Sequence, residues 1–134
     1  MRKLTLIAAM LAAPTLAAEP VTGSWITDAR DGVIEIAPCG AKLCGRLTKL
    51  LVAPGGPATD RNNPDPALRD RPLVGLAVLT GFVADGEAWR GTGYDPKAGK
   101  SYATTLQRTG PNTLKVKGCV LGFLCRSAMW TRLP

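Results

Sequence analysis

The chain has 134 residues, with 17 Lys and Arg, 10 Asp and Glu, four Cys and no His. This length fits one domain. The lack of His excludes Ser-His-Asp and Cys-His catalysis, His-ligated haem and His-containing zinc sites. The formal charge of +7 favours anionic partners, but part of it lies in an N-terminal segment of separate character.

Arg2 and Lys3 precede an apolar run from Leu4 to Ala13, then Pro14 and the small-residue stretch Thr15-Leu16-Ala17-Ala18. This order is that of a secretory signal peptide, with cleavage expected near Ala17 and the mature domain spanning 19–134. Ten apolar residues are too few to cross a bilayer, and no later segment is long and apolar enough. The expected location is therefore outside the cytoplasm, periplasmic or secreted. Without residues 1–18 the chain keeps 15 basic and 10 acidic residues, net +5.

Cys39, Cys44, Cys119 and Cys125 all lie in the exported part. An even number in a small exported domain reads as two disulfides, for which three connectivities exist. The favoured one is local, Cys39 with Cys44 and Cys119 with Cys125, each closing a short Gly-containing segment. Four thiolates on zinc would more usually show C-x2-C spacing, so no metal is expected.

Short apolar runs alternate with Gly and Pro throughout, the pattern of many short strands and turns. Strands are expected at 23–27, 33–37 and 43–51, where Ile34 and Ile36 face one side and Glu35 the other. Residues 53–72 break the pattern. Asp65 suits an N-cap with Pro66 as first helical residue, so one helical turn is expected at 66–70. Leu73 to Val83 reads as a buried strand or strand pair. Further strands are expected at 88–94, 101–108, 113–120 and 127–132. About eight antiparallel strands joined mostly by short turns predict an all-β up-and-down barrel with one long loop between its third and fourth strands.

Gly99-Lys100-Ser101 lacks the upstream Gly of a phosphate-binding loop and lies in a hairpin, so it reads as a turn. Asp60, Asp65, Asp70, Asp95 and Glu87 are the acids from which a carboxylate pair could form. Asp65 and Asp95 each precede Pro, where Asp usually makes a turn through its own side chain. Arg61, Arg69 and Arg71 share the long loop with Asp60, Asp65 and Asp70, an arrangement that suits internal ion pairs. If that loop covers a barrel mouth, Arg69 and Arg71 are the first candidates for binding an anion. Asn63, Tyr94 and Tyr102 complete the candidate ligand-binding set. No cofactor and no catalytic residue is assigned. Every acid lies at or before Asp95, and the seven charged residues beyond it are all basic. Lys97, Lys100, Arg108, Lys115 and Lys117 are expected to share an outer basic face suited to an anionic envelope component. Few aromatics and export argue against nucleic acid.

Gly23-Ser24-Trp25 opens the first strand and Trp130-Thr131-Arg132 closes the last. This resembles the lipocalin and calycin arrangement, in which a Gly-x-Trp meets a late Arg. The resemblance implies structural roles for Gly23, Trp25, Trp130 and Arg132. A more extensive match runs through Ile34-Glu35-Ile36-Ala37-Pro38-Cys39-Gly40, Leu43-Cys44-Gly45-Arg46, Asp60 to Arg69, Trp89-Arg90-Gly91 and Tyr94 to Tyr102. On these stretches the chain resembles a family of small exported bacterial proteins of unknown function. Members often carry a Cys in the segment matching 71–75, where this chain has Val74. The pair Cys119 and Cys125 is not general in the family.

The leading expectation is a non-catalytic binder of a small apolar or amphipathic ligand, with lipid or an acidic-headed molecule as partner. One alternative is a filled barrel acting in the envelope through its basic face. The other is a His-independent hydrolase of envelope carbohydrate or lipid.

Overall fold

A computed structural model describes residues 3–5, 7–8 and 17–134. Most of the leader segment expected at 1–18 lies outside the described residues. Eight strands follow in order: β1 (Gly23–Ile26), β2 (Gly32–Cys39), β3 (Lys42–Leu50), β4 (Ala77–Asp85), β5 (Ala88–Asp95), β6 (Lys100–Gly110), β7 (Thr113–Val120) and β8 (Leu124–Arg132). Each pairs antiparallel with the next, and β1 pairs with β8, so the sheet is a closed up-and-down barrel. The ambiguous 73–83 stretch resolves into a single strand: Leu73 and Leu76 belong to the loop that leads into β4. The expected helical turn is a short 3-10 segment, Pro66–Leu68, and the Asp65 side chain accepts a hydrogen bond from the Ala67 amide at 3.0 Å.

Alternation decides what lies inside. Ile34, Ile36, Leu43, Phe82, Leu106 and Leu114 are all buried, whereas Glu35 between two of them is exposed. An eight-stranded barrel has a bore just wide enough for side chains to fill. Here they fill it, in one continuous apolar cluster that also takes in Trp25 and Trp130.

The seam that closes the sheet is short. Only Trp25↔Arg132 and Ile26↔Thr131 stand in register across it. Side chains reinforce it. The Arg132 guanidinium lies 4.4 Å from the centroid of the buried Trp25 ring, a cation–π contact. Trp25 Nε1 donates to the Val21 carbonyl at 2.9 Å, which draws the segment before β1 under this end of the barrel. Gly23 has φ +129°, and a Cβ there would meet the Arg132 guanidinium at 2.6 Å. The position therefore needs Gly both for its backbone angle and for the space Arg132 occupies.

The two disulfides are Cys39–Cys44, across the β2–β3 turn, and Cys119–Cys125, across the β7–β8 turn. They sit at opposite ends of the barrel. One end, the terminal end, carries the start of β1, the end of β8 and the β2–β3, β4–β5 and β6–β7 turns. The other carries the β1–β2, β5–β6 and β7–β8 turns and the long β3–β4 loop.

The expected five-residue basic face does not form. Lys115 and Lys117 share the outer surface of β7. Arg108 instead follows Leu106 on the inward side, and its guanidinium donates to the carbonyls of Gly110, Pro111 and Pro20 at the terminal end. Lys97 forms an ion pair with Asp31. Period-2 alternation puts a residue two positions beyond a core Leu on the core side, which is why Arg108 leaves the group.

Replacing Trp25 by Ala should destabilise the fold by about 3–5 kcal/mol and Arg132 by Ala by about 1–2 kcal/mol. In urea titrations the double variant should lose less than the two single losses combined, because the pair is in direct contact. Strict additivity would show that the stacked pair does not hold the seam.

Candidate functional site

The long loop between β3 and β4 is an ordered lid over one barrel end. It is organised around a carboxylate with no solvent access. Asp60 is fully buried, and three side chains converge on it. Tyr94 Oη donates to Oδ1 at 2.5 Å, Asn63 Nδ2 to Oδ2 at 2.8 Å and Arg71 Nε to Oδ2 at 2.8 Å. Arg71 Nη2 also lies 2.8 Å from Oδ2, so the pair is an ion pair as well as a hydrogen bond. The backbone closes the same ring: the Asp60 amide donates to the Arg71 carbonyl and the Asn63 amide to the Asp60 carbonyl. A buried charge is tolerated only when paired and hydrogen-bonded in this way.

The acid-base consequences follow from that shell. Burial pushes the Asp60 carboxyl up, but the hydrogen bonds from Tyr94, Asn63 and Arg71, with the Arg71 charge, outweigh it and hold it below its ordinary 3.8. Burial, together with the hydrogen bond to Asp60 and its charge, raises the Tyr94 phenol to about 12. Asp60 is therefore a permanent anion and Tyr94 a permanent donor across the physiological range.

The lid is fixed to the barrel at two further points. Asn62 Nδ2 donates to the carbonyls of Pro96 and Lys97 in the β5–β6 turn, at 3.3 and 3.1 Å. Gly99 in that turn has φ +64°, and a Cβ would fall 1.8 Å from the Asn62 carbonyl oxygen. Only Gly allows this approach of backbone to backbone. From the same turn Lys97 reaches Asp31 in the β1–β2 turn. These two turns belong to strand pairs on opposite sides of the closed sheet, so the ion pair spans the mouth.

The structure divides the sequence-derived candidates. Asn63, Arg71 and Tyr94 come together, but around Asp60. Arg69 points back into the loop, where its Nε donates to the Asn63 carbonyl at 2.8 Å. Tyr102 has no part in the Asp60 shell. The remaining acids do not pair with Asp60: Asp65, Asp70 and Glu87 are exposed on turns, and Asp95 caps its own turn by accepting from the Lys97 amide. Among the described residues no group of His, Cys, Asp or Glu is arranged to hold a metal.

Beside the lid, between β3 and the approach to β4, lies an open cleft of about 520 Å³. It is lined by Arg46, Arg71, Val74, Gly75, Leu76 and Ala77, among others. Arg46 Nη1 donates to the Gly75 carbonyl at 2.9 Å. The cleft thus places two guanidinium groups beside an apolar strip. Arg46 was missed in the sequence because it sits mid-strand and its partner segment comes 29 residues later.

The closed eight-strand barrel with a Gly-x-Trp start, a stacked late Arg and one lidded end is a lipocalin-like fold. The chain belongs to a family described as "Uncharacterized protein conserved in bacteria (DUF2147)", whose model matches residues 23–132. Among solved structures it is similar to the Helicobacter pylori protein HP1028, described as belonging to the lipocalin family. The TM-score is 0.75 at 19% identity, over 86% of this chain and 84% of that one. No curated protein matches.

Two outcomes test the lid. Replacing Asp60 by Ala should cost about 3 kcal/mol or more in denaturant titrations, because Arg71 and Tyr94 lose their shared partner. A loss below about 1 kcal/mol would mean that the shell contributes no net stability. The pH dependence has a definite sign. A lowered Asp60 gives stability that is complete above its ordinary 3.8 and lost as acid titrates it below that value. A raised Tyr94 gives stability that is complete below its ordinary 10.0 and lost as pH rises towards about 12. Thermal unfolding should show both losses, and Asp60→Asn should abolish the acid limb due to this site.

Proposed function

We propose that the protein is a non-catalytic carrier or sensor of a small amphipathic anion, bound in the cleft beside the lid and not inside the barrel. The observation that carries this reading is the juxtaposition of Arg46 and Arg71 with the apolar strip of Val74, Leu76 and Ala77. The cleft is open to solvent, so a ligand held there keeps part of its surface in water. Arg presents a planar fork that matches a carboxylate or phosphate. Arg71 has part of its charge committed to Asp60, which fixes its orientation. Among the described residues Arg46 donates to a neutral carbonyl and forms no ion pair, although Glu35 stands in register with it on β2, so its charge is the more available of the two.

The filled bore supports placing the ligand outside it. Trp25, Phe82, Leu106 and Leu114 are at most 1% exposed. None of the four lines the cleft. The site of action we assign is periplasmic or extracellular, after removal of residues 1–18. Two disulfides suit an oxidising compartment. Within the described residues no helix is long and apolar enough to cross a membrane.

Dodecanoate and dodecanol make a matched pair of probes, with one chain length and a headgroup that differs in charge. Calorimetric titration should show the acid binding roughly tenfold or more tighter than the alcohol, the worth of one charge-assisted hydrogen bond. Arg46→Gln should remove that preference while leaving the melting temperature nearly unchanged. Equal binding of both probes would overturn the reading. So would no binding of either, together with no adduct in native mass spectra of protein from its own host.

A further inference from the structure

We propose that the tip of the β7–β8 hairpin is a membrane-contact element that inserts into an anionic lipid surface. This goes beyond the cleft and does not depend on it. The tip is Val120-Leu121-Gly122-Phe123-Leu124, held at its base by the Cys119–Cys125 disulfide. Leu121 is 80% exposed, Phe123 73% and Leu124 54%. Leu51 and Val52, at the start of the lid on the same barrel end, are exposed as well.

Folding does not explain these residues. Leu121 has φ +55°, in the left-handed region where Gly or Asn is free of strain and a bulky side chain is not. Turn chemistry favours polar, small residues at such a tip. The chain instead places two of its largest apolar side chains there, in water and at a conformational cost. A function that uses their exposure accounts for both departures.

Shape and charge favour lipid over protein. A two-stranded tip is narrow and convex, far smaller than the roughly 800 Å² that each side of a stable protein interface buries. From the disulfide to the turn the ribbon projects about 7–10 Å, at some 3.3 Å per residue. That matches the depth of the headgroup and acyl boundary. Val120 and Leu124 stand in register, so the ribbon can enter with its ladder already paired. The hairpin from Thr113 to Arg132 carries Lys115, Lys117, Arg126 and Arg132 and no acid. Lys117 and Arg126 lie within two rows of the disulfide and are exposed, where anionic headgroups would meet them. The disulfide keeps the tip from fraying, so its apolar side chains are presented together.

Vesicle flotation tests this with phosphatidylcholine alone and with phosphatidylcholine mixed with phosphatidylglycerol. The intact protein should float with the mixed vesicles and weakly or not at all with the neutral ones. Leu121→Asn combined with Phe123→Ser should reduce that binding by roughly tenfold or more, since two apolar side chains leave the boundary. Asn suits the backbone angle at 121, so this variant should melt at or above the parent temperature. Lys117→Gln combined with Arg126→Gln should abolish the preference for phosphatidylglycerol. Phe123→Trp should shift its emission to the blue on adding mixed vesicles and be quenched by brominated lipid. Three results would each overturn the proposal. They are flotation of the Leu121/Phe123 variant equal to the parent, no flotation of the parent, and a lipid-free dimer in sedimentation that the same variant abolishes.

Discussion

Asp60 imposes the constraint around which one end of this molecule is built. A carboxylate out of reach of water must be given its hydrogen bonds by the protein, or it will not stay ionised or stay buried. Here the donors come from three places in the chain: Asn63 from the same turn, Arg71 from the return arm of the lid and Tyr94 from the end of β5. Satisfying one anion therefore ties both arms of the lid to each other and to the barrel. A segment of more than 20 residues with one short 3-10 turn becomes a fixed cap. The arrangement also explains the cleft beside it. Arg71 is held still by Asp60 from one side while its other face borders open space.

The narrow bore sets the second condition. With eight strands and side chains as large as Trp25 and Phe82 turned inward, the barrel has become a packed core. A lipocalin-like sheet does not by itself imply an internal ligand, because function resides in sites placed on a fold. In this chain the exposed apolar hairpin tip and the two guanidinium groups of the cleft sit at or beside the lidded end, not within the barrel. At the other end, where β1 starts and β8 finishes, Trp25, Arg132 and Arg108 are engaged with ring faces or backbone carbonyls.

The strands and the barrel were legible in the sequence because alternation and turn residues are local. Ile34-Glu35-Ile36 states its two faces within three residues, and Asp65-Pro66 and Asp95-Pro96 state their turns through side chains that reach only two positions on. Alternation also fixed the side on which Arg108 lies, yet charge invited the opposite reading. The Asp60 shell was half legible. Asn63, Arg71 and Tyr94 stood out as a polar set, but the partner that unites them did not. Asp60 is one of several acids in a polar loop, and nothing in its neighbourhood distinguishes the one that is buried. That distinction arises from Tyr94, 34 positions away. Arg46 was hidden for the same reason, since its importance depends on where Gly75 and Val74 return.

The seam between β1 and β8 bears on how the molecule comes into being. It joins residues roughly a hundred positions apart, the longest-range strand pairing among the described residues and so the costliest in loop entropy. Every other strand pairs with a sequence neighbour. A nascent chain can thus lay down a growing open sheet, with both disulfides within reach of their own hairpins. The sheet cannot become a barrel until β8 is present. Until then β1 and the advancing edge are both unpaired, and open edges of this kind invite association with other chains. The stacked Arg132 lies at the far end of β8. Emergence of all of β8 is therefore a precondition for closure, and loss of Thr131 and Arg132 would leave a sheet with two edges.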